Sequence, residues 1–558
     1  MEVLQMAIIL IIFGLLCIPI GKYIYKVSEQ EKTFLDPVFN KLDNFIYKIT
    51  GITSEEMNWK QYLIALISSN AVATFIAYLI LRMQSFIHIL NPNNIGNMSQ
   101  DLTFNTVISF LTNTNLQDYS GESGLSYFSQ MAVITFFMFL AASTGLAVGL
   151  AFMRGIAGRR KKLGNFYQDY VRIITRILLP AAIVLSIFFI AQGVPQTFAA
   201  NKTVTTIEGK LQDIPLGPVA SLESIKLLGT NGGGFFGANS AHPFENPTPL
   251  TDAVGNIAFL IFAGSTVVCF GYMLKNKKQA VVIFSAMSIL LVVGLAVCYK
   301  AEMAGNPVLS NIGLSQSMGN MEGKEVRFGV PLSALFATTT TDTSTGAVNS
   351  MHDSFTPIGG AVLMFNMMIN VVFGGKGVGF MNMIMYAILT VFICGLMVGR
   401  TPEFLSKKIE AKEMKLIALA IIIHPFLILM FSALALIMPQ GVSAISNPGF
   451  HGLSQILYQY TSSAANNGSG FEGLGDNTVF WNTTAGIVML YGRYLSMIIL
   501  LAVAGSLSAK KAIPVSIGTF KTDNSMFAIT LIVIVIIIGA LTFLPAMALG
   551  PISEHLTL

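Results

Sequence analysis

The chain has 558 residues, 53% of them hydrophobic and only 11% charged, with a formal net charge of +5. A soluble protein of this size needs far more charge to cover its surface, so that class is excluded and an integral membrane protein is left. The cysteines Cys17, Cys269, Cys298 and Cys394 all lie in apolar runs without zinc or haem spacing, so packing is their expected role and no disulfide framework is implied.

The N-terminal "MEVLQMAIILIIFGLLCIPIGKYIYK" lacks a basic region before its apolar run and a small-x-small cleavage pattern, so it is expected to be a retained span. A spanning helix takes about 20 mostly apolar residues. Such runs fall near 3–20, 61–81, 130–153, 171–192, 252–274, 280–298, 358–399, 415–437, 483–507 and 525–547. The expected fold is an all-α membrane protein of about ten transmembrane helices, forming one transmembrane domain over 1–558. The seventh run is about twice too long for one straight helix, and the glycines of "FGGKGVGF" (373–380) are expected to break it at 374–379. Broken backbone at membrane depth belongs beside a cavity or pathway, where its free polar groups find partners.

The connections after spans 1, 3, 5, 7 and 9 hold 24 of the 33 Lys and Arg. The positive-inside rule makes these connections cytoplasmic, which puts both termini and the Gly- and Asn-rich connections outside. Those outer connections share one form: a polar loop, a helix too short to span, a cluster of Gly, Asn, Thr and Ser, then the next span. The clusters are "TNTN" (112–115), "TNGGG" (230–234), "STGAVN" (344–349) and "NNGSG" (466–470). Asn115, Gly232, Gly346 and Gly468 are then separated by 117, 114 and 122 residues, the signature of a duplicated unit. "NSAHPFENPTPL" from Asn239 and "NSMHDSFTPIGG" from Asn349 agree further, sharing Asn-Ser-x-His and a returning Thr-Pro.

Four span–pore-helix–span repeats are expected, at 61–153, 171–274, 280–399 and 415–507, with extra spans at 1–20 and 525–547. Four short helices whose C-terminal ends converge favour a cation, because each end carries about half a negative charge. Glycine lets carbonyls turn to the axis, where rings of them can replace the hydration shell of a monovalent cation.

"TNGGGFFGANSAHPFENPTPL", "TSTGAVNSMHDSFTPIGG" and "TSSAANNGSGFEGLGDN" closely resemble the filter segments of the A subunits of Kdp potassium-transporting ATPases, and the ten-span plan extends the resemblance over the whole chain. That family is related to the Trk, Ktr and HKT transporters. The resemblance implies a potassium filter made of Asn113, Thr114 and Asn115; Thr230, Asn231 and Gly232; Ser344, Thr345 and Gly346; and Asn466, Asn467 and Gly468. It also implies potassium as the transported ion, a bacterial cell membrane as location, and a P-type ATPase B subunit with C and F subunits as partners. No nucleic-acid partner is expected. Two positions depart from the pattern: many relatives carry Cys where Thr345 stands, and Glu where Asn370 stands. The chain has neither a G-x-x-x-x-G-K-[ST] loop nor the Asp-Lys-Thr-Gly phosphorylation sequence, so it is expected to bind no nucleotide and to hydrolyse nothing.

Single residues carry narrower expectations. His242 and His352 recur in the repeat and are expected to buttress the filter rather than bind a metal. Glu122, Glu245, Asp353, Glu472 and Asp476 either concentrate cations at the outer mouth or cap helices and solvate loops. Arg493, inside span 9, must face protein or water, since a central arginine costs at least ~2.5–3.5 kcal/mol on insertion scales. It either blocks cation slippage or pairs at a partner interface. Lys376 is either a gate below the filter or a lysine snorkelling into a cavity, and Asn370 is a third gate or coupling candidate. His424 before Pro425 marks a kink rather than a proton relay. Two rival functions remain: a self-sufficient Trk-like potassium transporter, and an intramembrane metalloenzyme built on His242, His352, Asp353 and Glu245.

Overall fold

The computed structural model describes residues 2–158, 162–397, 399, 401–514 and 520–558. Among them, ten helices are long and apolar enough to cross a membrane. Glu2–Ser28 and Ser525–Met547 stand outside a fourfold series of span, short helix and span. The series runs Trp59–Arg82, Gln100–Leu111, Tyr127–Ala157; Phe166–Ala191, Val219–Leu228, Pro249–Leu274; Lys277–Met303, Gly329–Asp342, then a broken span; and Ala411–Ile437, Phe450–Ala465, Val479–Ser508.

The repeat is written into the caps. The second span of every unit follows a Ser or Thr whose hydroxyl accepts a backbone N–H of the first turn: Ser126 from Ser129, Thr248 from Thr251, Thr356 from Gly359 and Thr478 from Trp481. The shared Thr-Pro is such a cap, with Pro249 and Pro357 as the first helical residues, where a missing N–H costs nothing.

The break in the seventh span lies earlier than the glycines indicate. Pro357–Ile369 stops at Asn370, which takes a left-handed conformation with φ 45°, and Val378–Met397 resumes after the lysine loop. The stop is therefore at 370–377 rather than 374–379, because Asn370 caps the first half with its own N–H to Asn366 O and is tied down by tertiary bonds. The glycines serve close approach instead: a Cβ on Gly149 would lie 2.9 Å from Gly377 Cα, and one on Gly374 would lie 3.2 Å from Gly379 Cα.

The extra first span packs along the fifth through small residues, as membrane helices do when backbones must approach. A Cβ on Gly21 would lie 2.6 Å from Val268 Cβ, and one on Gly264 would lie 2.7 Å from Cys17 Sγ. Cys17, Cys269 and Cys298 are buried and Cys394 partly so, all as free thiols. Outside the spans, an amphipathic helix Asp36–Thr50 and a two-stranded hairpin, Lys202–Thr205 with Leu211–Ile214, are elements the sequence reading did not anticipate.

Candidate functional site: a fourfold constriction

All four short helices end the same way. The first residue of each expected triplet is left-handed: Asn113 at φ 62°, Thr230 at 49°, Ser344 at 48° and Asn466 at 53°. The second then donates its backbone N–H to the carbonyl five residues back: Thr114 to Ser109 and Asn231 to Lys226 at 2.9 Å, Thr345 to Thr340 at 2.8 Å, and Asn467 to Ser462 at 2.9 Å. This is a Schellman closure, which occupies carbonyls freed at the helix end and turns the following peptide units away from the helix axis. For Thr230, a β-branched residue, the left-handed region is strained, and the strain is held by neighbours. Its hydroxyl donates to Gly229 O at 2.7 Å and accepts Lys376 N–H at 3.2 Å.

The third residues meet on a common axis. A Cβ on Gly232 would lie 2.6 Å from Gly346 Cα, and one on Gly346 would lie 2.6 Å from Asn467 O. A Cβ on Gly468, at φ 104°, would run into Thr114 O. At the three glycines the backbones pack with no room for a side chain, while the first unit brings Asn115 to this layer left-handed at φ 58°, its buried amide without a partner among the described residues. The twelve residues expected to form the filter are thus brought together in space, and all are buried.

Asparagine side chains stitch the units to one another. Asn113 Nδ2 donates to Thr230 O at 2.7 Å, and Asn466 Nδ2 to Thr114 Oγ1 at 2.9 Å. Asn467 Nδ2 donates to Thr345 O at 3.2 Å, and Asn239 Nδ2 to Gly346 O at 3.3 Å. Asn231 Nδ2 donates within its own unit to Ile225 O at 3.3 Å and across to the first unit at Met138 O, 3.4 Å. His352 lies behind the wall: its Nδ1 pairs with Tyr458 Oη at 2.8 Å, Tyr458 pairs with Ser469 Oγ at 2.8 Å, and Ser469 donates to Asn467 Oδ1 at 2.6 Å. His242 sits farther out, stacked on Phe236 with ring centroids 3.9 Å apart, its Nδ1 accepting Phe244 N–H.

The acids divide into two groups. Glu245 is fully buried in an ion pair with Lys226 at 2.6 Å and accepts Phe236 N–H, and Asp353 pairs with His451 at 3.0 Å, so these two brace loops. Glu122 accepts Gly237 N–H at 2.9 Å. Glu472 and Asp476 line a cavity of about 350 Å³ that opens onto Gly233, Gly346 and Gly468. Asp118 lines it too, and the sequence reading missed it; the available signal was an acid three residues past the first turn's Asn115. Gln117 was missed as well: its Oε1 accepts Gly234 N–H at 2.7 Å, tying the first unit to the second.

On the other side of the constriction lie the gate candidates. Asn370 Oδ1 accepts Ser344 Oγ–H at 2.7 Å and its Nδ2 donates to Ala465 O at 3.3 Å, joining the break to the third and fourth turns. Lys376 is fully buried; its Nζ has no hydrogen-bond partner among the described residues and lies 4.5 Å from the centroid of the Phe262 ring. A cation over an aromatic face recovers part of the cost of burial. Arg493 is 4% exposed, and its Nη2 also has no partner among the described residues. It lies next to Gly145 and Gly375, where added Cβ atoms would stand 2.6 and 3.8 Å from its guanidinium nitrogens. A second cavity, about 40 Å³, is lined in part by Asn370, Asn382, His424, Ser496 and Thr542. His424 Nε2 is taken up by Met367 O at 3.2 Å, on the helix that ends at the break. Among the described residues, no group of three or more His, Cys, Asp or Glu is placed to hold a metal ion.

Fold and site together define a class: a membrane protein with four pore-helix units closing on one central constriction. The solved potassium transporter TrkH from Vibrio parahaemolyticus shares the fold with a TM-score of 0.54 at 15% identity, over 88% of this chain and 97% of that one. Residues 7–556 match the family described as potassium-transporting ATPase A subunit. The chain is 72% identical to the potassium-transporting ATPase potassium-binding subunit of Clostridium acetobutylicum across 100% of both chains. It is 54% identical to that of Geobacillus kaustophilus across 99% of both. The chain belongs to the family of potassium-transporting ATPase A subunits.

Proposed function

We propose that this chain is the potassium-binding and selectivity subunit of an ATP-driven uptake complex, that the triplets at 113–115, 230–232, 344–346 and 466–468 are its filter, and that a P-type ATPase subunit supplies the energy. The observation that carries the reading is the fourfold Schellman closure, with backbones meeting at Gly232, Gly346 and Gly468. Such a closure presents backbone oxygens rather than charges to an ion, which suits a monovalent cation that must bind and leave again. The basic connections face the cytoplasm, so the vestibule and both termini face out. The four units, with bounds near 61–153, 171–274, 280–399 and 415–507, form one transmembrane domain.

Partnership follows from energy. Moving potassium from about micromolar to about 0.1 M spans five decades, or roughly 7 kcal/mol. A membrane potential of ~100–150 mV returns only about 2–3.5 kcal/mol per charge. A passive pore would leak outward, so the straight path below the filter has to be closed. Lys376 and Arg493, buried and, among the described residues, without counter-charges in hydrogen-bonding reach, supply that barrier to a cation. The side cavity beside Asn370 offers the alternative, a neutral polar exit toward a catalytic partner. This chain itself hydrolyses no nucleotide; B, C and F subunits complete the complex.

The test is purification from native membranes followed by hydrolysis assays against potassium and sodium. A copurifying ATPase with potassium-stimulated hydrolysis that collapses in Gly232→Asp is the expected result. Potassium flux through the lone chain in liposomes, with no ATPase attached, would establish a self-sufficient Trk-like transporter instead.

A further inference from the structure

One part of the vestibule wall is left unexplained by the filter. Asp118, from the loop after the first turn, and Asp476, from the loop after the fourth, line one cavity, where their carboxyl groups act on each other. Ionised carboxylates only accept, so neither can satisfy the other. Gln459 Nε2 donates to Asp476 Oδ2 at 3.0 Å. Asp118 is 8% exposed, faces the cavity, and neither of its oxygens has a donor among the described residues. The carboxyl that bears on Asp118 is that of Asp476; Tyr119 adjoins the pair, Glu472 lines the same cavity, and among the described residues no Lys, Arg or His acts on either acid. Burial, and then the adjoining carboxylate, raise the Asp118 carboxyl well above its usual range. Burial also raises Asp476, to about 6, against hydrogen bonds that lower it. Like charges this close cannot both stay ionised without a positive species between them. The species is either a proton or a cation, and the cavity that holds the pair opens directly onto Gly233, Gly346 and Gly468.

We propose that Asp118 and Asp476 form a monovalent-cation antechamber, where an arriving potassium ion displaces the proton the two carboxyls share and waits, partly hydrated, before entering the filter. The exchange is one for one: a potassium ion binds between the carboxylates and a proton leaves to the outer solution. The two acids come from the first and fourth units, so the site also spans the same unit boundary that Asn466 closes one layer below. The monovalent assignment comes from the place of the pair in the cavity that opens onto the filter, and a divalent ion, which carboxylates with water can also hold, is the competing occupant that the test separates. This inference rests on the filter reading above.

The experiment measures the half-saturating potassium concentration for hydrolysis by the complete complex between pH 5.5 and 8, for the parent and for Asp118→Asn and Asp476→Asn. Proton competition predicts that the parent's value rises about fivefold or more on going from pH 8 to 5.5. In each variant the rise falls to about twofold or less, and the value at pH 8 is several-fold higher than in the parent. Either variant suffices if the other fails to assemble. Equal pH slopes in parent and variants overturn the antechamber while leaving the filter standing. Loss of potassium stimulation in the parent itself would instead refute the filter. Calcium competing with potassium in the parent but not in the variants would show a divalent site and overturn the monovalent assignment.

Discussion

The constriction and the break beneath it are neighbours built on opposite terms. At the constriction every turn is closed by a backbone bond, and Asn113, Asn466, Asn467 and Asn239 carry hydrogen bonds from one unit to the next. Both layers hold left-handed residues and unpartnered amide atoms, those of Asn115 included, but at the break the unpartnered atoms among the described residues are the cationic nitrogens Lys376 Nζ and Arg493 Nη2. An unpaired buried charge costs more than an unpaired buried amide, so the break holds more free energy in reserve for a ligand or a movement than the cross-braced constriction does. On the proposed function, discrimination belongs to the cross-braced layer and control of exit to the layer with unpaired charge.

The strongest way to break that division is Gly468→Ala. The new Cβ would overlap Thr114 O on the axis, and φ 104° already excludes most side chains. A cost of about 3 kcal/mol or more is expected, roughly two decades in apparent potassium affinity, measured as half-saturation of hydrolysis. Near-parental affinity would mean the four backbones do not meet as described.

Next comes Asn466→Ala, which removes donors to Thr114 Oγ1 and Met489 O. Leaving buried acceptors unpaired costs about 1–3 kcal/mol, so discrimination against sodium should fall by a factor of about 5–100. Potassium-to-sodium ratios of half-saturation read this directly.

Arg493→Met sharpens the comparison from the other side. It should leave half-saturation within about twofold while potassium moved per ATP in proteoliposomes drops several-fold, since the barrier to a cation is gone. A shift in affinity with coupling intact would erase the distinction between the two layers.

The smallest effect concerns a tether outside both layers. Burial opposes charge on His451, but hydrogen bonds with Asp353 and Glu554 outweigh it and push the ring up to about 9. A raised pKa stabilises fully below the unfolded value near 6.5, and the contribution fades as pH climbs through about 9. His451→Gln should therefore lower the melting temperature by roughly 1–2 °C at pH 6 and hardly at all at pH 10.

Much of the architecture was legible because membrane insertion is a strong and local constraint. Ten apolar runs became ten long helices, and the Thr-Pro shared by two repeats became the cap of two second spans. The cluster spacing located all four turns, since each needs a residue that tolerates a left-handed conformation after a short helix. Thr230 and Ser344 occupy that conformation although neither type favours it, and each is held by a tertiary bond, from Lys376 N–H to the Thr230 hydroxyl and from the Ser344 hydroxyl to Asn370.

Composition and periodicity by themselves determined the membrane class, the span count, the fourfold repeat and the residues at its turns. Tertiary structure alone decided that the seventh span stops at Asn370, that Glu245 is taken by Lys226 while Asp476 faces Asp118, and that Lys376 and Arg493 are left unpaired. The reason is range: hydrophobic runs and caps act within one helix, whereas the pairing of a buried charge depends on groups from other elements, 19 residues away for Lys226 and Glu245 and in another unit for Asp118 and Asp476.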